Sequence, residues 1–255
     1  MKKINKSRIM RISAWVVFVV SFCCWGYTKL LYLDADVTYR DLTKKTVTVA
    51  EEQPQPTTAA DGTAQAVPDD PLLEIDREHL LDVNNDYVCW LSACQNKISY
   101  PVVQGSDNNK YLHHTFFGDK SFVGSIFLDY RCADDLSDFH TLVYGHSMKD
   151  RTMFRLLADF TDKAIAEQYP YFYLYTGDGR VKYRIYSVCD VDGMALPTAI
   201  GTPDDEDKAV FIAGLKERSL YTMGDEPTIS DSFVSLITCD VRDDSKRVVI
   251  TGIKQ

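Results

Sequence analysis

The chain has 255 residues, 45% of them hydrophobic, and a formal charge of -9. That length supplies one ordinary globular domain with attached segments and excludes a multidomain enzyme. Lys2, Lys3, Lys6, Arg8 and Arg11 fall in the first eleven residues, where there is no acid. The rest is therefore more acidic still and would repel a phosphate backbone, so no nucleic-acid partner is expected.

From Ile12 to Leu33 the sequence is almost entirely apolar, with Lys29 as its only charge. A stretch of about 20 such residues suffices to cross a bilayer as a helix. The basic residues before it (1–11), against Asp34 and Asp36 just after it, orient the amino terminus toward the cytoplasm, with everything downstream outside. A signal peptide shares the basic start, but Tyr27-Thr28-Lys29-Leu30-Leu31-Tyr32 offers no small-x-small cleavage pattern, which favours an uncleaved single-pass anchor. Trp25, Tyr27 and Tyr32 suit an interfacial aromatic belt.

Residues 34–49 mix charged and β-branched side chains and read as a helix extension or a stalk. Glu51 to Pro71 is rich in Pro, Thr, Ala, Gln and Asp, with Val67 as its one sizeable apolar residue. It cannot bury enough surface to order itself, so 34–71 is expected to be stalk and flexible linker. The folded domain is expected over 72–255.

Leu72, Leu73, Ile75, Leu80 and Leu81 suggest a short amphipathic helix ending near Asn84. Strand signals follow at Tyr87–Leu91, Ile98–Val103, Gly124–Asp129, Thr141–Tyr144 and Val181–Val191, and Phe233–Cys239 with Arg247–Ile253 reads as a closing hairpin. Helical patterns cover Met153–Leu157, Asp162–Gln168 and Asp205–Leu220. Many short strands with few helices predict a mainly β domain, a closed or nearly closed barrel with helical decorations.

Of seven cysteines, Cys23 and Cys24 fall inside the apolar span, leaving Cys89, Cys94, Cys132, Cys189 and Cys239 beyond it. Five is odd, so full pairing still leaves one thiol free. No CxxC pair or Cys/His cluster has metal-ligand spacing, so no metal and no cofactor is expected.

Ser235-Leu236-Ile237-Thr238-Cys239-Asp240 reads as a strand that delivers a cysteine to its end. Period-2 alternation sets Phe233, Ser235, Ile237 and Cys239 on one face. A loop over 240–246 would bring Arg247 beside Cys239, where a fixed guanidinium suits a thiolate or a developing oxyanion. His146 follows the strand Thr141–Gly145 and can project into a cleft as the base or acid that a thiol nucleophile needs. Each residue alone has a plain alternative: a buried thiol, a solvated arginine, a packed histidine. His79, His113, His114 and His140 read as structural.

Together, Tyr144-Gly145-His146-Ser147-Met148, Leu236-Ile237-Thr238-Cys239 and Lys246-Arg247-Val248-Val249 resemble the signature blocks of sortases, membrane-anchored cysteine transpeptidases of Gram-positive bacteria. The similarity runs over most of Leu72 to Gln255, including Trp90-Leu91 and Ile98–Gln104. Class B is the nearest, through His-x-Met-Lys-Asp, the Met153-Phe154 pair, an amino-terminal helix and a helix between late strands. Ser147 departs from the Asn or His often found there.

The resemblance implies an eight-stranded sortase barrel with Cys239 as nucleophile, His146 as proton donor to the leaving amine and Arg247 at the substrate carbonyl. It implies the Asp240 backbone N–H as a second oxyanion donor and substrate contacts at Tyr144, Ile237, Thr238, Asn108 and Tyr111. The implied reaction cleaves a C-terminal sorting signal after Thr through a thioester. The acyl group then passes to a peptidoglycan amine, which makes surface proteins and the cell wall the partners. An extracytoplasmic cysteine protease that only hydrolyses, a pilin-polymerising sortase and an inert anchored binding protein are the alternatives.

Overall fold

A computed structural model describes residues 6–50, 70–192, 198–239 and 246–255, and of Cys239 it describes the backbone. Two compact units are present, 1–42 and 43–255. The first is helical, the greater part of α1 (Lys6–Thr46). Its segment Met10–Tyr27 is long and apolar enough to cross a membrane. Trp15, Phe18, Phe22 and Trp25 form a ladder of ring contacts along it, and all four are exposed.

The second unit begins at Thr43, earlier than the expected boundary at Leu72, because the chain after α1 is held by the chain before the barrel. β1 (Val47–Val49) pairs antiparallel with β2 (Leu73–Ile75) in the register Val47↔Ile75, Thr48↔Glu74, Val49↔Leu73. Ala50 N–H donates to the Leu72 carbonyl at 2.9 Å, and Asp76 N–H to the Thr46 carbonyl at 2.8 Å. The expected linker lies for its greater part in 51–69, outside the described residues. Where a helix over 72–84 is expected, the chain first forms β2 and only then α2 (Arg77–Val83). Asp76 caps α2 by accepting from the His79 N–H at 3.0 Å.

The barrel strands are β3 (Tyr87–Ala93), β4 (Ile98–Gln104), β5 (Ile126–Leu128), β6 (His140–Gly145), β7 (Tyr171–Thr176), β8 (Gly179–Asp192), β9 (Ser219–Thr222), β10 (Phe233–Cys239) and β11 (Lys246–Lys254). They follow the order β11-β10-β6-β5-β4-β3-β7-β8-β9, and β11 also pairs with β8. That last pairing closes eight strands into a barrel, and β9 is appended to β8. Parallel pairs occur at β4–β5 and β6–β10, and each demands a long crossover. The first crossover is 105–125; the second carries a 3-10 helix (Phe154–Thr161), α3 (Lys163–Gln168), β7, β8, α4 (Asp205–Arg218) and β9. Sequence periodicity finds most of these strands but not β1, β2, β7 or β9.

α4 starts at Asp204, whose carboxylate accepts from Asp207 N–H at 2.8 Å, and carries acids in its first turn and Lys216 and Arg218 in its last, complementing the helix dipole. Phe211 and Leu215 pack on Tyr186 of β8, Phe233 of β10 and Ile253 of β11, with Ala199 at the margin. α4 therefore covers the barrel face on which Phe233, Ser235 and Ile237 alternate.

His140 is fully buried on this side, its ring 4.3 Å from that of Phe211. Its Nδ1 accepts from the Ala199 N–H at 3.2 Å, so Nε2 carries the proton and donates to Ser235 Oγ at 2.8 Å; Ser235 continues to Thr251 Oγ1 at 2.7 Å. Burial drives the imidazole pKa from 6.5 down to about 3. An unfolded chain takes up this proton below about pH 6.5 while the folded one does not, so stability falls as pH falls from there toward 3. Between pH 7.5 and 5.5 the native chain should lose about 1.4 kcal/mol more than His140→Gln does. Urea unfolding of both proteins at the two pH values measures this, and equal losses would contradict it.

Candidate active site

β6, β10 and β11 lie side by side. β10 runs parallel to β6 with Ile237↔Tyr144 and Thr238↔Gly145 in register. It runs antiparallel to β11 with Ile237↔Val249, Thr238↔Val248 and Cys239↔Arg247. His146 is one residue beyond the Thr238↔Gly145 pair on one side, and Cys239 is one beyond it on the other. His146, Cys239 and Arg247 thus occupy one row across three adjacent strands. Directly opposed residues of an antiparallel pair share a face, with Cβ atoms about 4.5–5.5 Å apart. The register therefore brings the backbone positions of Cys239 and Arg247 together.

This row borders a cleft of about 290 Å³ lined by Asn108, Leu112, Phe127, Tyr144, Gly145, His146, Ile237, Thr238 and Arg247. Of the residues singled out from the sequence, Asn108, Tyr144, His146, Ile237, Thr238 and Arg247 meet there. Tyr111 does not. It is 1% exposed, and its hydroxyl engages Asn84 Nδ2 at 2.9 Å and Asp86 Oδ2 at 2.7 Å, so it braces the end of α2 rather than the cleft. Asp240 lies outside the described residues, as do 193–197 of the expected specificity loop.

Two contributions come from the crossover 105–125 and were not legible as motifs. His146 Nε2 lies 2.9 Å from the Leu112 carbonyl oxygen. A carbonyl only accepts, so Nε2 holds a proton in both charge states and Nδ1 is the nitrogen left to exchange one. The second is Gly124, at φ +61: a Cβ there would stand 2.8 Å from the carbonyl oxygens of Tyr111 and Leu112 and 3.1 Å from His146 Cδ2. Gly145 is likewise confined, since a Cβ on it would run into Ile126 and the Phe154 ring. The crossover beside the His146 ring and the backbone just before His146 are thus both closely packed, and the His146 carbonyl accepts from Phe154 N–H at 2.9 Å.

Tyr144 is stacked on Phe127, directly opposite it in the β5–β6 pair, with ring centroids 5.4 Å apart. Its hydroxyl donates to Asp129 Oδ2 at 3.1 Å. Burial, and then the Asp129 carboxylate, push this phenol well above its ordinary range, so it stays protonated. Arg247 donates from Nη1 to the Lys246 carbonyl at 2.9 Å, which holds the guanidinium against its own strand.

The other cysteines of this unit are unsuited to nucleophilic work. Cys89, Cys94, Cys132 and Cys189 are buried free thiols. Burial pushes Cys89 and Cys94 up to about 12 and Cys132 up to about 11, and it raises Cys189 as well. Such thiols hold almost no thiolate near neutrality.

No family model matches the chain. Sortase B of Listeria monocytogenes is 33% identical over 181 residues, covering 69% of this chain and 74% of the relative. Clostridium perfringens sortase B superposes with a TM-score of 0.66 at 30% identity, over 70% of this chain and 98% of that one. A Staphylococcus aureus sortase B–substrate complex superposes with a TM-score of 0.65 at 26% identity, over 71% and 84%. A closed eight-stranded barrel with a helix set between late strands is the architecture of a cysteine transpeptidase of the sortase type. The chain belongs to the class B sortases.

Gly124→Ala should lower the unfolding free energy by about 1–3 kcal/mol, since it combines an unfavourable φ with collision against two fixed carbonyls. Gly118→Ala, also at positive φ (+84) but in open space, should cost no more than about 1 kcal/mol. Chemical denaturation of both variants checks the order, and equal losses would show that the carbonyls yield.

Proposed function

We propose that Cys239 is the nucleophile, His146 the proton carrier and Arg247 the cation at the scissile carbonyl, in a reaction that cleaves a C-terminal sorting signal after threonine and joins the protein to a peptidoglycan amine. The observation that carries this reading is the row formed by residues 146, 239 and 247 at the rim of one cleft. That a staphylococcal relative was solved as a complex with its substrate supports a substrate-binding role for the chain.

The Cys239 thiolate attacks the threonine carbonyl carbon, and the negative charge moves to its oxygen beside Arg247. A permanently charged planar fork stabilises that oxyanion without reorganising. His146 gives the proton on Nδ1 to the departing amine, the C–N bond breaks and a thioester remains. An incoming amine then attacks the thioester, His146 takes a proton from it, and collapse expels the Cys239 thiolate. The imidazole hands over one proton and recovers one, so the cycle closes without any other reactant. The Asp240 N–H, next to the nucleophile, suits the second oxyanion donor.

Met10–Tyr27 serves as a single-pass anchor, because eleven large apolar side chains exposed along it or beside it would be costly in water. The basic amino-terminal residues remain cytoplasmic and the barrel acts outside.

An internally quenched peptide with threonine at the cleaved position should be cut by the native chain, and an added amine should appear joined to the threonine. Cys239→Ala should abolish both products while unfolding at an unchanged temperature. Arg247→Lys should lower kcat/KM at least about tenfold, since a point charge cannot replace a planar fork. Cleavage by Cys239→Ala would overturn the assignment, and release of free acid alone in the presence of amine would make the chain a protease.

A further inference from the structure

One part of the cleft lining, Asn108 of the crossover and Tyr144 of β6, is held from behind by a buried carboxylate. Asp129 follows β5 directly, and its side chain is wholly buried. Its backbone N–H and carbonyl are both held. Asp129 N–H donates to the Leu142 carbonyl at 2.9 Å, continuing the β5–β6 ladder, and the Asp129 carbonyl accepts from Gln104 Nε2 at 2.9 Å.

Oδ1 accepts from Arg131 N–H at 3.0 Å and Arg131 Nε at 2.8 Å, while Oδ2 accepts from Arg131 Nη2 at 2.8 Å, Asn108 Nδ2 at 2.9 Å and Tyr144 Oη at 3.1 Å. Burial on its own would raise this carboxyl, but the Arg131 and Asn108 hydrogen bonds outweigh it and hold the group below its usual range. It is ionised, and an ionised carboxylate only accepts.

That restriction propagates outward. Tyr144 must spend its hydroxyl proton on Asp129, which leaves its oxygen lone pairs to accept. Asn108 must direct an amino hydrogen at Asp129, and its Oδ1 accepts from Tyr130 N–H at 3.0 Å, so the amide cannot flip. Asn108 and Tyr144 both line the cleft, and Asn108 lies on the crossover whose Leu112 carbonyl holds His146.

We infer that Asp129 is a positioning residue for the acyl donor: through Asn108 and Tyr144 it makes the cleft wall offer one N–H donor and one phenolic acceptor, the complement of an amide group of the bound peptide. This rests on the cleft being the peptide site. A peptide or carboxamide unit carries one carbonyl and at least one N–H in a fixed relation, so a wall with fixed polarity selects both its presence and its direction. A neutral residue at 129 would leave Asn108 with the Tyr130 N–H as its remaining hold and would free the Tyr144 hydroxyl to turn, so the wall would discriminate less. Arg131, half exposed at the solvent side of the network, is the counter-ion that keeps Asp129 charged in its buried site.

The test uses the full chain in detergent and the internally quenched peptide, from a library with threonine fixed at the cleaved position, that the native enzyme cuts fastest. Asp129→Asn should raise KM about tenfold, the cost of one hydrogen bond to a charged group, with kcat changed less than about threefold. Arg131→Gln, which keeps the Asp129 carboxylate and its bonds to Asn108 and Tyr144 but removes its charged partner, should raise KM in the same direction by a smaller factor. In an Asn108→Ala/Tyr144→Phe background, Asp129→Asn should change KM less than about twofold, because the groups it acts through are gone.

Equal KM for Asp129→Asn, Arg131→Gln and native enzyme would overturn the inference. An undiminished effect of Asp129→Asn in the double-variant background would do the same, since that is what a general loss of stability produces. Should Asp129→Asn fail to fold, Arg131→Gln decides alone: a raised KM supports the inference, an unchanged one overturns it. Failure of the underlying site reading looks different, as peptide cleavage that survives Cys239→Ala.

Discussion

The parallel register between β6 and β10 is the constraint on which the rest depends. A parallel pair cannot be made by a hairpin, so the chain must leave β6, build the 3-10 helix, α3, β7, β8, α4 and β9, and return to lie beside its starting strand. The return aligns Thr238 with Gly145 and leaves the residues after β6 and at the end of β10 level with each other. A shift of one residue would send the Cys239 position to the opposite face and remove it from Arg247. Both faces of β10 resist that shift, because Phe233 sits under α4 while Val234 and Leu236 are buried on the other side.

The His140–Ser235–Thr251 chain strengthens the same register from within. It links β6, β10 and β11 by side chains in the covered layer, two residue pairs below the cleft. Buried polar groups linked in this way have few alternative partners, so they penalise any slip. The imidazole is kept neutral to do this, and the cost is stability at low pH. Gly124 and Gly145 have a related part above: they let Leu112 and Phe154 close on His146, whose imidazole is held by the Leu112 carbonyl.

Much of this was legible in the sequence, for identifiable reasons. Phe233–Cys239 alternates clearly and ends on its cysteine, Arg247 opens the next strand, and Gly145-His146 terminates a β-branched run, so the row could be anticipated before its register was known. Asn108, Tyr144, Ile237 and Thr238 also reach the cleft. Tyr111 shares the cleft crossover in sequence, but its hydroxyl bonds Asn84 and Asp86, which precede β3, a pairing that no local pattern announces. β1 went unseen because three residues beside a long helix give no period, and its partner lies across the Pro- and Thr-rich segment. Asp129 and the Leu112 carbonyl left no trace, since one acid among many and one backbone oxygen carry no pattern; their importance comes from what folds onto them.

The central claim is that one sulfur, at the end of β10, carries the acyl group. Rapid acid quenching of the full chain with a threonine-containing sorting peptide, followed by proteolysis and mass spectrometry, locates the adduct directly. The account predicts the peptide's threonine-ended fragment attached to Cys239 and lost on treatment with hydroxylamine. An adduct on Cys89, Cys94, Cys132 or Cys189, or turnover with no covalent species at any cysteine, would contradict it.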